Sequence, residues 1–235
     1  MTTPPTPPGK LGWRRAKVRE NKDETGSAHT VFLDDEHWQA HEAGQHIDVR
    51  LTAPDGYQAS RSYSLSSGPG EGPAITVERV DDGEVSPYLV DALEPSDEIE
   101  IRGPIGGYFV WRPDMGPTLL IGGGSGIAPL RAIWQARTDA APMGVIYSSQ
   151  TAQRVIFAEE LTQARDMYVR VHLTREEHAD YRHGRVGVSD LSEAIEAVKP
   201  QLIYVCGPTA FVESVSQNLV GMGIDPRALR TERFG

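Results

Sequence analysis

The spacing of apolar and polar positions changes near the middle of the chain. Over residues 10–112 the spacing is two. His46-Ile47-Asp48-Val49-Arg50-Leu51 and Glu98-Ile99-Glu100-Ile101-Arg102 alternate, and Thr30–Leu33 and Ala74–Val80 are β-rich. Such alternation marks strands with one buried face. Pro54-Asp55-Gly56, Gly68-Pro69-Gly70, Asp82-Gly83 and Gly103-Pro104 punctuate them as turns. About six short strands joined this way predict a small antiparallel β-barrel. One helix is expected inside it, Pro87–Leu93, with Ser86 as N-cap and Pro87 as first residue.

From residue 117 the pattern is different. Thr118–Ile121, Gly144–Tyr147, Tyr168–Leu173 and Leu202–Val205 are short apolar-rich runs. Between and after them, Leu130–Arg137, Phe157–Ala164, Leu191–Val198 and Phe211–Val220 read as helices. Apolar strands between amphipathic helices predict an α/β domain with a parallel sheet covered on both faces. Two domains follow, residues 10–113 and 114–235, with the boundary in Arg112-Pro113-Asp114-Met115-Gly116-Pro117. Residues 1–9, rich in Pro and Thr, are expected to be a disordered tail.

Composition narrows the function. The 235 residues are 39% apolar and 24% charged, enough for a packed core. No run approaches the roughly 18 apolar residues of a membrane span, and the opening MTTPPTPPG lacks the apolar stretch of a signal peptide. The cytoplasm is therefore the expected compartment. A net charge of −10 argues against nucleic acid or an anionic membrane as partner. The single cysteine, Cys206, excludes an intramolecular disulfide, a Cys-rich zinc site and a four-cysteine iron–sulfur cluster. Lys10, Arg14, Arg15, Lys17, Arg19 and Lys22 make a basic opening, whereas residues 81–100 hold many acids and no Lys or Arg, read as a solvated face. His37 and His41 are four apart but lack a third ligand nearby. They are read as surface histidines, and no metal site is expected.

Two segments carry candidate chemistry. Ile121-Gly122-Gly123-Gly124-Ser125-Gly126-Ile127-Ala128-Pro129 follows a strand and opens a helix. Glycines there let backbone N–H groups approach an anion. It is neither G-x-G-x-x-G, because Ile127 or Pro129 stands at the third glycine, nor a P-loop. A hydrolase elbow also fails, because Ile127 follows Ser125-Gly126. The second segment, Arg61-Ser62-Tyr63-Ser64, offers a guanidinium fork for phosphate, an aromatic face for a ring and a short hydroxyl.

The order of motifs is informative. Gly44-Gln45-His46, Arg61-Ser62-Tyr63-Ser64, Gly83-Glu84-Val85-Ser86, Gly103-Pro104-Ile105-Gly106, Gly122 to Pro129, Cys206-Gly207-Pro208 and Glu232-Arg233-Phe234 span nearly all of residues 40–235. The set resembles the ferredoxin–NADP reductase superfamily, in its oxygenase-reductase and flavin-reductase branch. The resemblance implies that the first domain binds flavin and the second NAD(P). Arg61 would hold a flavin phosphate beside Ser62, Tyr63 would pack on the flavin ring, and Ser64 would bond near its N5. Gly83, Val85 and Ser86 would present backbone N–H groups to a pyrophosphate. Gly122, Gly123, Gly124, Ser125 and Gly126 would cradle the dinucleotide phosphates. Cys206, with Gly207 and Pro208, would sit near the nicotinamide, Phe234 would cover the flavin, and Glu232 would be a polar neighbour of the reacting centre.

The Gly83–Ser86 turn favours FAD, with FMN left open. After Tyr147, Ser148-Ser149-Gln150 carries no acid for a ribose, and Arg154, Arg175 and Arg185 could reach a 2′-phosphate. That favours NADPH over NADH, although Gln150 stands where NADP-specific relatives often carry Arg. The implied activity is hydride transfer from NAD(P)H to FAD, then electron delivery to a separate acceptor such as a ferredoxin or oxygenase component. From one cysteine and the close at Phe234-Gly235, no attached ferredoxin domain is expected, and the basic opening is the expected dock for an acidic carrier. Two alternatives stand: a flavin reductase or diaphorase with a small acceptor, and a non-enzymatic flavin-binding redox sensor.

Overall fold

A computed structural model describes residues 11–138 and 141–234; the tail expected over residues 1–9, and Lys10, lie outside the described residues. The first half contains β1 (Arg14–Asp23), β2 (Ala28–Asp34), β3 (His46–Thr52), β4 (Gln58–Ser64), β5 (Ala74–Glu78), α1 (Ser86–Asp91) and β6 (Glu98–Ile105). The strands form one six-stranded antiparallel sheet in the order β4-β3-β6-β1-β2-β5. Its two edges meet at one corner, where Leu65 bridges to Ile75 and Ser66 N–H donates to Ala74 O at 2.8 Å. The expected barrel is thus a half-barrel, wrapped around Val31, Leu33, Ile47, Val49, Ile75 and Ile101.

β1 was the least visible strand in the sequence, because only Ala16 and Val18 of its ten residues are buried. Four of its basic side chains are ion-paired. Arg14 pairs with Asp35, Arg15 with Glu98, Arg19 with Asp34 and Lys22 with Glu24. Neighbouring strands and turns neutralise most of this row. Arg15, Arg19 and Lys22 stay at the surface within these pairs, and Lys10 of the expected basic opening lies outside the described residues. Many acids of residues 81–100 are paired too: Asp81 and Asp91 with Arg79, Glu84 with Arg61 and Glu100 with Arg50.

Two local expectations also change. Ser86 begins α1 instead of capping it; Val85 is the N-cap, and Ser86 Oγ accepts the Val80 N–H at 3.1 Å. The Asp82-Gly83 turn folds Val80 back onto this hydroxyl. His41 is buried, with Nε2 2.9 Å from Ser67 O and its ring edge-on to Trp38, and its segment is not helical. Burial lowers its pKa. His37 is exposed, as expected.

The second half contains β7 (Thr118–Gly123), α2 (Ile127–Ala136), β8 (Met143–Ser149), α3 (Ala158–Gln163), β9 (Tyr168–Leu173), β10 (Arg182–His183), α4 (Val188–Val198), β11 (Leu202–Pro208), α5 (Thr209–Gly221) and β12 (Leu229–Phe234). Its sheet is parallel throughout, in the order β10-β9-β8-β7-β11-β12. β7 and β8 are buried along their whole length, which explains their continuous apolar runs. Leu119 and Ile121 face Leu191, Ala194, Val212 and Leu219 on one side. Leu120 faces Leu130, Ile133 and Tyr204 on the other. No described helix is long and apolar enough to cross a membrane.

The halves are joined by specific contacts. Arg131 of α2 pairs with Glu160, lies over the Phe157 ring and donates to Ser66 O of the first half at 2.9 Å. In the connecting segment Trp111 Nε1 donates to Thr118 Oγ1 at 2.9 Å, and Tyr204 OH donates to Val110 O at 2.8 Å.

Candidate functional site

The end of β4 forms one wall of the main cleft. In register with β3, Tyr63 lies opposite Ile47 and Ser64 opposite His46. Alternation puts Arg61 and Tyr63 on one side and Ser62 and Ser64 on the other. Burial pushes the Tyr63 phenol up to about 12, so it stays neutral and offers its ring. Arg61 is exposed; Nη1 donates to Ser60 O at 2.8 Å and Nη2 lies 3.5 Å from Glu84. Tyr57 OH donates to the same Glu84 at 2.6 Å. Ser62 Oγ is engaged with Asp48 at 2.6 Å.

The Gly83–Ser86 turn forms the next wall. Gly83 N–H donates to Val80 O at 2.9 Å. A Cβ on Gly83 would stand 3.0 Å from both Ser86 Oγ and Val80 O, so glycine keeps the turn tight. The opposite wall comes from the second half. β12 pairs in parallel with β11, setting Glu232 beside Cys206 and Phe234 beside Pro208. Ser64 Oγ donates to Glu232 Oε1 at 2.7 Å across the halves. Burial raises the Glu232 pKa, while the Ser64 bond and the nearby His46 pull it the other way.

The resulting cleft has a volume of about 810 Å3, the size of a small-molecule site. Arg61, Ser62, Tyr63, Ser64, Gly83, Val85 and Ser86 line it from the first half, and Ser125, Glu232 and Phe234 from the second. A second cleft of about 420 Å3 lies over the parallel sheet. Gly123, Gly124, Ser148, Ser149, Arg154, Arg175, Arg185 and Pro208 line it. Ser149 Oγ donates to Arg154 O at 2.9 Å, which shapes the turn after β8 and engages the hydroxyl proton. None of the three arginines has a carboxylate partner among the described residues; Arg154 reaches only Gln150 Oε1, at 3.5 Å.

Four expected site residues line neither cleft. Gly122 packs under Ile127 and Leu130. Gly126 lies against the Cys206 carbonyl, where a Cβ would come within 2.3 Å. Gly207 faces Gly123 O at a distance that would leave a Cβ 2.9 Å away. Cys206 is fully buried in the core under α2, and burial, then the Glu232 charge, pushes its thiol well up. The residue lies directly behind Glu232, which lines the larger cleft.

Glu78 escaped the sequence reading, although it lines both clefts. The signal was alternation. Thr76, Glu78 and Val80 are two apart, and all three line the larger cleft. Phe211, whose ring lies 2.9 Å from a Cβ built on Gly123, was likewise noted only as the start of a helix.

This donor set fits a flavin: a neutral aromatic face at Tyr63, an exposed phosphate fork at Arg61, and a tight turn at Gly83. Comparisons with known proteins agree. Residues 19–110 match the Oxidoreductase FAD-binding domain family, and residues 120–217 match the Oxidoreductase NAD-binding domain family. The flavohemoprotein of Rhizobium meliloti strain 1021 is 29% identical over 249 residues, covering 97% of this chain and 62% of that protein. The glycine betaine monooxygenase reductase subunit of Chromohalobacter salexigens is 31% identical over 205 residues, covering 82% of this chain and 55% of that protein. The chain thus spans 55% to 62% of the length of these curated relatives. Among solved structures, the flavohem-like FAD/NAD-binding domain of nitric oxide dioxygenase from Vibrio cholerae superposes with a TM-score of 0.84 at 27% identity, covering 96% of this chain and all of that one. An Amycolatopsis cytochrome P450 reductase gives 0.81 at 27% identity, covering 96% of this chain and 71% of that one. With an FAD-binding half-barrel followed by an NAD-binding parallel sheet, the chain has the domain architecture of the ferredoxin–NADP reductase-like oxidoreductases.

Proposed function

We propose that the chain takes hydride from NADPH, or from NADH, onto FAD and passes the electrons to a separate acceptor, a ferredoxin or an oxygenase component. The Ser64–Glu232 hydrogen bond carries this reading. It ties the flavin-side strand to the nucleotide-side strand inside a cleft lined by both Tyr63 and Phe234. The flavin supplies the hydride and electron chemistry when bound. The chain supplies geometry. Tyr63 packs a neutral ring against the flavin, Arg61 takes a phosphate, and the Gly83–Ser86 turn lets the diphosphate approach the backbone. Ser64 Oγ and Glu232 Oε1 hold a proton between them near the reacting centre, and Phe234 keeps water out. Cys206, in register with Glu232, backs that carboxylate from the core.

FAD is favoured over FMN because a third cleft, of about 880 Å3, adjoins the first at Glu84 and is lined by Tyr57 and Tyr88. It offers room for an adenosine beyond the diphosphate. NADPH is favoured over NADH because Arg154, Arg175 and Arg185 line the smaller cleft without carboxylate partners. The domain boundary is placed between Pro113 and Asp114, and an unpaired buried cysteine suits a reducing cytoplasm. Kinship with a monooxygenase reductase subunit supports a protein acceptor. A small-molecule acceptor is the second reading, favoured by the ion pairing that neutralises most of the basic row on β1.

The test begins with the visible spectrum of the purified protein, followed by anaerobic addition of NADPH and, separately, NADH. A flavin spectrum that bleaches is the expected result, faster with NADPH. A flavin that stays oxidised would turn the reading to a redox sensor, and no flavin after adding FAD would overturn it. Salt-sensitive reduction of a ferredoxin, compared with free flavin, then separates the two acceptors.

A further inference from the structure

The clefts of about 810 Å3 and 420 Å3 share the residue Glu78. It ends β5 in the flavin-side sheet, yet its carboxylate reaches the glycine loop of the other half. Ser125 N–H donates to Glu78 Oε2 at 3.3 Å, and a Cβ on Gly124 would lie 3.5 Å from the same oxygen. Glu78 is also the one carboxylate among the residues lining the smaller cleft, where Arg154, Arg175 and Arg185 lie. A carboxylate at the start of a helix satisfies the same N–H groups and partial charge that a phosphate would. Two anions at that position repel each other.

We propose that Glu78 is an internal competitor for the phosphates of the pyridine nucleotide. It fills the anion position of the glycine loop in the free protein and has to leave Ser125 when the nucleotide seats. The inference rests on the reading of this loop as the nucleotide cradle. Its consequence is specific. The diphosphate is common to NADP and NAD, so Glu78 weakens both alike, whereas the arginines distinguish them. It also weakens the oxidised product, which favours release after hydride transfer. Because the carboxylate comes from the flavin-side sheet, nucleotide binding breaks one contact between the halves.

The test is the affinity of the full chain, saturated with FAD, for NADP+ and for NAD+, compared with Glu78→Gln and Glu78→Ala. Glutamine keeps the length and an acceptor oxygen and removes only the charge. Glu78→Gln is expected to bind both nucleotides about tenfold more tightly, by the same factor, with the gain shrinking as salt rises. Glu78→Ala is expected to bind at least as tightly as wild type. A strut that merely ordered the loop would give the opposite sign, since its loss would weaken binding. Unchanged or weaker affinity in Glu78→Gln therefore overturns the proposal, while the nucleotide reading stands on wild-type binding. If neither nucleotide binds wild type or variant at millimolar concentration, the nucleotide reading fails and the proposal falls with it.

Discussion

The turn at Gly83–Ser86 and the loop at Gly122–Gly126 both look like phosphate cradles in the sequence, but they use glycine for different reasons. At Gly83 the missing side chain keeps a turn tight at the wall of an open cleft. In the loop, only Gly123 and Gly124 border a cleft, while Gly122 and Gly126 line neither. Gly126 is wedged against the carbonyl of Cys206, where backbone cannot yield. Both cradles also carry a carboxylate beside the phosphate-binding group: Glu84 near Arg61, and Glu78 at Ser125. A run of glycines thus reports close packing as well as ligand approach, and the two are separable by mutation.

The largest expected effect tests that separation. Gly126→Ala forces a Cβ into the Cys206 carbonyl and should cost about 3 kcal/mol, lowering the melting temperature by roughly 6–12 °C. Gly124→Ala meets only a left-handed backbone, φ 55, and should cost about 1 kcal/mol. Equal losses in thermal denaturation would erase the distinction between packing and cradle glycines. Next, Arg61→Ala should raise the FAD dissociation constant about ten- to a hundredfold, the scale of a charged hydrogen bond. Fluorescence titration of the apoprotein reads it, and unchanged affinity would remove Arg61 from the flavin side. On the nucleotide side, Arg175→Ala should raise KM for NADPH about tenfold and leave KM for NADH unchanged. Equal effects on both would place Arg175 away from the 2′-phosphate.

The smallest effect concerns the contact between the two sides. Burial raises the Glu232 carboxyl above the ordinary 4.5. The folded protein therefore holds this proton to higher pH than the unfolded chain does. Stability contributed by the protonated form is complete below pH 4.5 and is lost as pH rises through the folded value. Glu232→Gln cannot ionise, so it should match wild type at low pH and gain on it as pH climbs. Thermal melts between pH 4 and 8 check this, and parallel curves would mean that the carboxylate is solvated.

Much of this was legible in the chain, where periodicity was strong. β9 runs over Tyr168–Leu173 as its spacing indicates, and the central strands of both sheets lie where alternation or apolar runs put them. β1 and β12 were hidden for one reason: their residues are mostly polar. Arg-Thr-Glu-Arg in β12 gives no apolar signal, and the strand exists because β11 offers it a partner edge. The resemblance supplied Ser64 and Glu232 separately, but their meeting across 168 positions is a tertiary fact. Cys206 shows the reverse case, because its motif was visible while its burial behind Glu232 was not. Glu78 carried no motif at all, and only its two-residue step from Thr76 tied it to the cleft.

The position of β12 along the chain has a consequence for biosynthesis. A ribosome releases the whole half-barrel, from Arg14 to Ile105, before it reaches the strand that carries Glu232 and Phe234. At that point every strand of the first sheet has been made, with Ser64 still lacking its acceptor. Until residues 229–234 emerge and dock beside β11, any flavin held there is open to solvent and oxygen on one side. Synthesis order therefore makes this cleft close later than every other contact among the described strands.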